Sequence, residues 1–279
     1  MPRLDRAIFL VPIAHRGLFD VAAGRIENTR SAFQAAIDAD LGIECDVRPA
    51  AGGLPVVFHD DEIDRLIDGS GPVADLTAED LDQLRYRGQD EAILTFTGLL
   101  ELVGGRVPLL VEIKSEWAPP DHSFLFRVCR MAAYYDGPIA LMSFDPAVIA
   151  VVKQYAPQVP RGIISGSYEG EGWWNDKIDA SRAARLRDLA EGEDTNPDFY
   201  AYEVQALQLP APKRVRERLG LPLFTWTVRT PEDRQLAEQF ADAPIFENGS
   251  LELEARAVSD GADDVSAASG LQQPTAYAP

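Results

Sequence analysis

The segment GIECDV, residues 42–47, places two acids inside a run that otherwise has the composition of a buried β-strand. Side chains alternate between the two faces of a strand, so Glu44 and Asp46 share one face and Cys45 points to the other. Ionised side chains are rarely buried without a partner. The segment therefore predicts a strand with one face packed against helices and the other facing a functional site.

Three further apolar runs also contain or end in charged side chains, namely AHRG at residues 14–17, VVFHDD at 56–61 and VEIKS at 111–115. In the last of these, Glu112 and Lys114 share a strand face by the same alternation. Four strands that each carry charge at one end indicate a site built at one rim of a sheet or barrel. The chain is therefore predicted to be an enzyme.

Apolar, β-rich runs alternate with amphipathic stretches along the chain, a pattern typical of parallel βα units. The principal strands predicted in this way number eight, at residues 8–13, 42–47, 108–113, 139–143, 161–165, 199–204, 223–228 and 243–246, with an accessory strand at 55–58. Eight βα units in series close most economically into a TIM (β/α)8 barrel of the α/β class. An open doubly wound sheet is the alternative, but no glycine-rich dinucleotide loop follows the first run.

Helices are predicted between these strands, at residues 77–81, 97–103, 146–155, 181–190, 213–219 and 231–240. Asn28 is predicted to cap an earlier helix, because a run with one apolar face follows it at residues 32–37.

Composition narrows the class of function. A length of 279 residues suits a single α/β barrel. The net charge of −19 argues against binding to nucleic acid or to an anionic membrane, both of which favour a basic surface. An anionic substrate would therefore need positive charge placed locally at the site.

The predicted location is cytoplasmic, with no stable membrane insertion. Cys45 and Cys129 lie far apart and suggest neither a disulfide framework nor a zinc site, so both are predicted to be buried thiols in a reducing compartment. No window approaches the roughly 18 apolar residues of a membrane span. The first apolar run is short and ends in charge, which favours a strand over a signal peptide.

The acids predict a metal site. If the inward faces of the strands meet at the mouth of a barrel, Glu44, Asp46 and Glu112 converge there with Lys114. Three carboxylates do not stay ionised side by side without a cation. Ligation by oxygen alone suits a hard divalent ion, so one Mg²⁺ or Ca²⁺ is expected.

The histidines and cations indicate phosphoester cleavage. His15 and His59, each followed by a charged residue at a strand end, are candidates for an acid/base pair, whereas His122 lies in a predicted turn and is expected to be structural or solvated. Arg16 and Lys114 supply positive charge for an anionic substrate such as a phosphate ester. The sequence contains neither a nucleophile elbow nor a Walker loop.

Several short motifs resemble those of the glycerophosphodiester phosphodiesterase family, in the same order. They are HRG (15–17), ENT (27–29), ECDV (44–47), VVFHDDEIDR (56–65), GSGPVADLT (69–77) and VEIKS (111–115), followed by SFD (143–145) and TWTV (225–228). The resemblance runs from about residue 8 to 248. Because several independent motifs occur in order, the likeness is far more specific than HRG alone.

The resemblance implies a TIM barrel with a small inserted segment after the second strand, at about residues 54–95. We expect a single barrel domain over residues 1–255. Residues 256–279 are rich in Ala, Ser, Asp, Gly and Gln and lack periodicity, so they are expected to form a disordered tail.

The resemblance also implies a role for each candidate residue. The acids Glu44, Asp46 and Glu112 would be the metal ligands. His15 and His59 would be the acid/base pair. The cations Arg16 and Lys114 would hold phosphate oxygens.

The implied reaction is metal-dependent hydrolysis of glycerophosphodiesters, such as glycerophosphocholine, to glycerol 3-phosphate and an alcohol. Attack by the 2-hydroxyl of the substrate, through a cyclic phosphate, and direct attack by water both stay open. A lysophospholipase D-like phosphodiesterase and a catalytically inactive barrel that acts as a binding protein are the alternatives. The oligomeric state is not predicted.

Two features depart from the family pattern. Family members close the barrel with a turn resembling ITDYP, whereas residues 245–249 read IFENG, in which Glu247 is a substitute for the aspartate. The loop GSYEGEGWWND, residues 166–176, has no counterpart among the motifs and either covers the alcohol group or packs on the barrel. Phe144, Tyr168 and Trp226 are the expected residues of the substrate pocket.

Overall fold

Nine strands form one sheet in the computed structural model, which describes residues 4–247. The strands are β1 (Ile13–Ala14), β2 (Gly42–Ala50), β3 (Leu54–Val57), β4 (Leu109–Ile113), β5 (Ile139–Ser143), β6 (Arg161–Ser165), β7 (Phe199–Glu203), β8 (Leu223–Val228) and β9 (Ala243–Phe246). All neighbours pair in parallel except β2 and β3. β1 pairs with both β2 and β9, which closes eight parallel strands into the predicted TIM barrel.

Helices connect these strands around the outside of the barrel. Those within the described residues are α1 (Arg6–Phe9), α2 (Arg30–Asp38), α3 (Ala78–Gln83), α4 (Phe96–Val103), α5 (His122–Tyr134), α6 (Pro146–Tyr155), α7 (Ala180–Arg187), α8 (Pro210–Arg214) and α9 (Pro231–Phe240). A π-helical turn at Val215–Leu219 extends α8. None of the helices in residues 4–247 is long and apolar enough to cross a membrane.

Alternate residues of each strand pack on opposite sides of the barrel wall. On β4, Leu109 and Val111 pack outward against the helices, whereas Leu110 packs in the barrel interior with Ala140. Cys45 packs outward as predicted from the alternation in GIECDV. Glu44, Asp46 and Glu112 therefore lie on the inner face of the barrel wall, near the carboxyl ends of the parallel strands.

The prediction of a first strand at residues 8–13 is wrong over most of that range. Asp5 caps the short helix α1, and β1 begins only at Ile13. Leu4 and Phe9 pack into the apolar cluster inside the barrel, together with Ile13. The run is apolar because it covers the amino end of the barrel interior, and not because it forms a strand.

Two helix predictions also need correction. Thr29, and not Asn28, caps α2, since the Thr29 hydroxyl accepts the N–H of Ala32. His122 does not lie in a turn: it begins α5, which was not predicted. His122 is exposed, and its Nδ1 lies 3.0 Å from the hydroxyl of Tyr155.

The segment between β2 and α4 has an apolar cluster of its own. Its core residues include Phe58, Ile63, Ile67, Val73 and Tyr86. β3 turns back antiparallel on β2, which places the end of β3 beside the carboxyl rim of the barrel. The insertion thus brings His59 to the predicted site. The predicted domain limit and tail lie outside the described residues.

Candidate active site

A cavity of about 440 Å³ opens at the carboxyl ends of the strands, where TIM-barrel enzymes have their active sites. Of the residues that the sequence singles out for a site, His15, Arg16, Glu44, His59, Glu112, Lys114, Phe144 and Trp226 line it. Asp46 lies behind this surface and contacts several of these residues. The structure therefore brings nearly all of the predicted site residues together.

Glu44, Asp46 and Glu112 form a buried cluster on two adjacent strands. Asp46 and Glu112 are direct neighbours in the register of β2 and β4, and Glu44 lies two residues earlier on the same face as Asp46. One oxygen from each carboxylate lies within 4.8 Å of the others. The three acids are close enough to bind one cation.

Positive charge compensates part of this cluster. Lys114 Nζ lies 2.7 Å from Asp46 Oδ1 and 2.8 Å from Glu112 Oε1, while Arg16 Nε lies 3.3 Å from Asp46 Oδ2. Asn28 also donates a hydrogen bond to Asp46 at 2.8 Å. Burial alone would raise the pKa of Asp46, but the charges of Lys114 and Arg16 outweigh it and hold that pKa well below its usual range.

Glu44 is the carboxylate whose charge is least compensated. Burial first, and then the charges of Asp46 and Glu112, raise its pKa well above the ordinary value. Oε2 accepts the backbone N–H of Arg16 at 3.0 Å, but Oε1 is buried with no hydrogen-bond partner. A buried carboxylate oxygen without a donor is costly. This oxygen, within an all-oxygen donor set, fits a hard divalent cation.

His15 follows β1 and is held by Glu247, at the end of β9. The Nδ1 of His15 donates a hydrogen bond to Glu247 Oε1 at 2.6 Å, and Arg229 Nε lies 2.6 Å from Glu247 Oε2. Burial would raise the pKa of Glu247, but the hydrogen bonds from His15 and Arg229 outweigh it and lower that pKa to about 2. Burial lowers the pKa of His15 in spite of Glu247. The Nε2 of His15 faces Glu44 at 3.7 Å.

His59 is held at two points. Its Nδ1 lies 2.7 Å from Asp60 Oδ1, and its backbone carbonyl accepts hydrogen bonds from Nε and Nη2 of Arg48 at 3.1 and 2.9 Å. Arg48 was not among the predicted site residues. It lies on the same face of β2 as Glu44 and Asp46, so the alternation that placed those two acids would have placed Arg48 as well.

A chain of ion pairs joins the surroundings of the two histidines. Arg65 bonds to Asp60 at 2.5 Å and to Glu27 at 2.7 Å, and Glu27 in turn accepts from Arg16 at 2.7 Å. Burial would raise the pKa of Glu27, but the hydrogen bond and charge of Arg65 lower it overall. Arg16, next to His15 in the chain, is thus connected through side chains to Asp60, the partner of His59.

The aromatic residues divide into two groups. Phe144 and Trp226 line the cavity as expected, and so do Trp117 and Trp173. Tyr168 does not line it: its ring packs beside Trp174 against a small apolar cluster under the loop. Nothing in the irregular sequence of the loop distinguishes Trp173 from Tyr168, so their different positions could not be predicted.

Comparison with known proteins agrees with this geometry. The profile of the Glycerophosphoryl diester phosphodiesterase family matches residues 15–248. A glycerophosphodiester phosphodiesterase of Caldanaerobacter subterraneus subsp. tengcongensis is 30% identical, with 80% of this chain and 87% of that protein covered. Glycerophosphodiester phosphodiesterase 1 of Rattus norvegicus is 44% identical, with 86% and 78% covered.

A phosphodiesterase of Oleispira antarctica, solved in complex with the product sn-glycerol-3-phosphate, has a similar fold. The TM-score is 0.69 at 21% identity, with 89% of this chain and 97% of the other covered. At that identity the likeness supports the barrel fold alone. The profile match and the relatives of 30% and 44% identity lead to one conclusion: the chain belongs to the glycerophosphoryl diester phosphodiesterase family.

Proposed function

We propose that this protein hydrolyses glycerophosphodiesters to glycerol 3-phosphate and an alcohol, with one divalent cation and with His15 and His59 as the acid/base pair. The observation that carries the proposal is that three clustered buried carboxylates, two histidines, Arg16 and Lys114 lie in or directly behind one cavity wall of a family member. The product bound to the Oleispira antarctica relative supports glycerol 3-phosphate as the phosphate-containing half.

Glu44, Asp46 and Glu112 would hold the cation, Mg²⁺ or Ca²⁺, and the unpartnered Oε1 of Glu44 supports this assignment. A divalent cation bound there would neutralise negative charge on the phosphodiester and polarise its phosphorus–oxygen bonds. Arg16 and Lys114 would bind phosphate oxygens. Each has several N–H donors, so each can keep its carboxylate partners while donating to the substrate.

His15 is suited to act as the general base. Because Nδ1–H donates to Glu247, the neutral ring carries its lone pair on Nε2, which faces the carboxylate cluster. In this role Nε2 removes a proton from the attacking oxygen, which belongs either to water or to the 2-hydroxyl of the substrate glycerol. The choice between these two nucleophiles stays open.

His59 is suited to act as the general acid. Its Nδ1 is bound to Asp60, which leaves Nε2 as the nitrogen that can protonate the oxygen of the departing alcohol. Asp60 stabilises the charged imidazolium, because it remains ionised: its pKa is lowered by His59 and Arg65 despite burial. The phosphorus–oxygen bond to the alcohol then breaks without forming a free alkoxide.

A lysophospholipid substrate is the second candidate, and the exposure of Trp173 at the cavity mouth, 44%, favours it. No observation on the described residues favours an inactive barrel, because the three acids and the two histidines are all present and lie near one another. The cytoplasmic location stays a prediction. It agrees with Cys45 and Cys129, which are both buried and unpaired.

The test is a panel of phosphodiesters assayed for glycerol 3-phosphate release, with EDTA and with Mg²⁺, Ca²⁺ or Mn²⁺ added back. Glycerophosphodiesters should be cleaved, EDTA should abolish the activity, and a divalent ion should restore it. Lysophosphatidylcholine belongs in the same panel, with choline release as its readout because its cleavage gives acylglycerol 3-phosphate and choline, and preference for it would support the second candidate. Full activity in excess EDTA would sink the metal assignment.

A further inference from the structure

The cavity has one charged wall and one aromatic wall. The charged wall lies at the ends of β1, β2, β3 and β4, where the acids, the histidines and Lys114 are found. Opposite it, Met142, Phe144, Ile164, Ala201 and Trp226 line the cavity along β5 to β8. If the phosphate is bound at the charged wall, as in the proposed function on which this inference rests, one ester substituent must lie against the aromatic wall.

Three rings form the outer part of this wall. The ring centroid of Phe144 lies 5.2 Å from that of Trp173 and 5.2 Å from that of Trp226. The ring planes meet at 76° and 84°, so neighbouring rings are nearly perpendicular and form the sides of a corner. We call Phe144, Trp173 and Trp226 the aromatic corner.

Trp173 is fixed in place before any ligand binds. Its ring stacks on Trp117 with centroids 5.9 Å apart, and Arg182 lies over the Trp117 ring at 4.9 Å. Lys177, in the same loop as Trp173, pairs with Glu116 at 2.9 Å and with Asp61 at 3.5 Å. A binding surface that is already ordered loses little entropy when a ligand binds.

The aromatic corner offers few hydrogen-bond partners. Its side-chain donors are the indole N–H groups of Trp173 and Trp226, of which that of Trp226 is buried with no partner, and its three side chains contain no acceptor. The O–H groups of glycerol or of a sugar would find no acceptor on these three side chains, which is costly. The substituent that fits the corner is therefore one that needs no hydrogen bonds.

The charges around the corner favour a cation over an acyl chain. Every arginine and lysine among the described lining residues already has a carboxylate partner, as shown by Arg16, Arg48, Lys114, Lys177 and Arg229. No unpaired cation therefore repels a positive ligand. Asp61, which lines the cavity, and Glu116, which pairs with the lining residues Arg48 and Lys177, are 58% and 55% exposed, and these two carboxylates favour a cationic substituent over an acyl chain.

We infer that the aromatic corner binds the quaternary ammonium group of a choline-like alcohol, through attraction between the cation and the ring faces. Tryptophan gives the strongest attraction of this kind, and a quaternary ammonium group has no N–H that needs an acceptor. The preferred substrates are then glycerophosphodiesters of quaternary ammonium alcohols.

The kinetic test compares glycerophosphocholine with its neutral isostere, the glycerophosphodiester of 3,3-dimethylbutanol, in which carbon replaces nitrogen. We expect kcat/KM to be about 10-fold higher for the choline ester. Trp173→Leu, which keeps an apolar side chain without a ring, should remove most of this ratio. Trp174→Leu, in the same loop but outside the cavity lining, should keep it. Equal kcat/KM for the two esters in the wild type would overturn the inference.

A binding test does not depend on catalysis. Tetramethylammonium chloride should change the tryptophan fluorescence of the wild type saturably, relative to sodium chloride at the same ionic strength. The change should be lost in Trp173→Leu and kept in Trp174→Leu. Absence of a saturable change would refute the aromatic corner as a cation site even if every glycerophosphodiester is cleaved. Conversely, a saturable change without any cleavage would leave this site standing and remove the proposed function.

Discussion

Glu247 accepts a hydrogen bond from Nδ1 of His15 at 2.6 Å, across 232 positions in the chain. Glu247 stands where the resemblance leads one to expect an aspartate. The contact depends on the closure of the barrel. His15 directly follows β1 and Glu247 directly follows β9, and these two strands are neighbours only because the barrel closes. The longer glutamate side chain thus reaches the histidine and fixes which ring nitrogen faces the carboxylates.

We predict that Glu247→Ala lowers kcat more than it raises KM. Without the carboxylate, the His15 ring loses its fixed tautomer and orientation, and such losses cost up to roughly 10⁴-fold. Glu247→Asp should retain part of the activity if the shorter side chain still reaches Nδ1. Steady-state kinetics on a glycerophosphodiester would check both variants. Wild-type kcat in Glu247→Ala would remove the positioning role of Glu247.

The pKa of Glu247 also predicts how stability depends on pH. The pKa in the folded protein is about 2, below the ordinary 4.5, so the contacts of the carboxylate with His15 and Arg229 stabilise the fold above pH 4.5. This stabilisation is lost as the pH falls from 4.5 through 2. Urea denaturation should show a larger stability difference between wild type and Glu247→Gln at about pH 7 than at about pH 3. Equal differences would contradict the prediction.

The sequence predicted the barrel and its carboxylate cluster because both follow from regular patterns. Alternation along β2 places Glu44 and Asp46 on one face, and the pairing of parallel strands brings Glu112 beside them. Arg48 follows from the same rule, but the strand was predicted to end at Val47. It extends to Ala50 because β3 pairs back on it.

Other parts of the site have no local pattern. The contact between His15 and Glu247 requires the barrel to close, which no single segment encodes. The loop that carries Trp173 and Tyr168 has neither helical nor strand periodicity, so the sequence does not show which ring faces the cavity. The apolar run before β1 has the composition of a strand. It forms the helix α1 instead, and its apolar side chains are buried because they pack against the interior of the barrel.

The proposed acid and base roles predict that His15→Ala and His59→Ala respond differently when the leaving group of the substrate is changed. His15→Ala and His59→Ala should each lower kcat/KM roughly 10²- to 10⁴-fold on a natural diester. A nitrophenyl ester needs no protonation of its leaving group, so it should rescue His59→Ala and not His15→Ala. The wild-type rate should follow a bell-shaped pH profile. Rescue of His15→Ala instead would reverse the two roles.

The carboxylate cluster predicts opposite effects of one substitution on the metal-free and metal-bound protein. The raised pKa of Glu44 means that the buried charge is unfavourable without a cation, so Glu44→Gln should raise the Tm in EDTA. Mg²⁺ or Ca²⁺ at about 100 times Kd should stabilise the wild type by about 2.7 kcal/mol. Differential scanning calorimetry should show that Glu44→Gln loses this gain.

Glu116→Gln is the matched control for Glu44→Gln, because Glu116 is a carboxylate at the cavity mouth outside the cluster. It should keep the stabilisation by the metal. If Glu116→Gln lost the stabilisation and Glu44→Gln kept it, the cation would bind at the mouth and not at the three buried acids.

The hydrogen bonds from Arg48 to the His59 carbonyl predict that a substitution of Arg48 lowers the catalytic efficiency of His59 while the imidazole ring itself is unchanged. The guanidinium donates twice to the His59 carbonyl, and a lysine cannot reproduce that paired geometry. Arg48→Lys should therefore let the histidine shift and lower kcat on a glycerophosphodiester by up to roughly 10²-fold. The loss should be smaller on a nitrophenyl ester, because that substrate does not need the proton that His59 supplies.

Lys177→Ala is the matched control for Arg48→Lys. Lys177 pairs with the same two carboxylates, Asp61 and Glu116, but does not bond to His59. Lys177→Ala should therefore lower the rates on the two ester types by the same factor, whereas Arg48→Lys should lower them unequally. If Arg48→Lys also reduced the rates on both ester types equally, Arg48 would act through its ion pairs with Asp61 and Glu116. Its contact with the His59 carbonyl would then have no part in proton transfer.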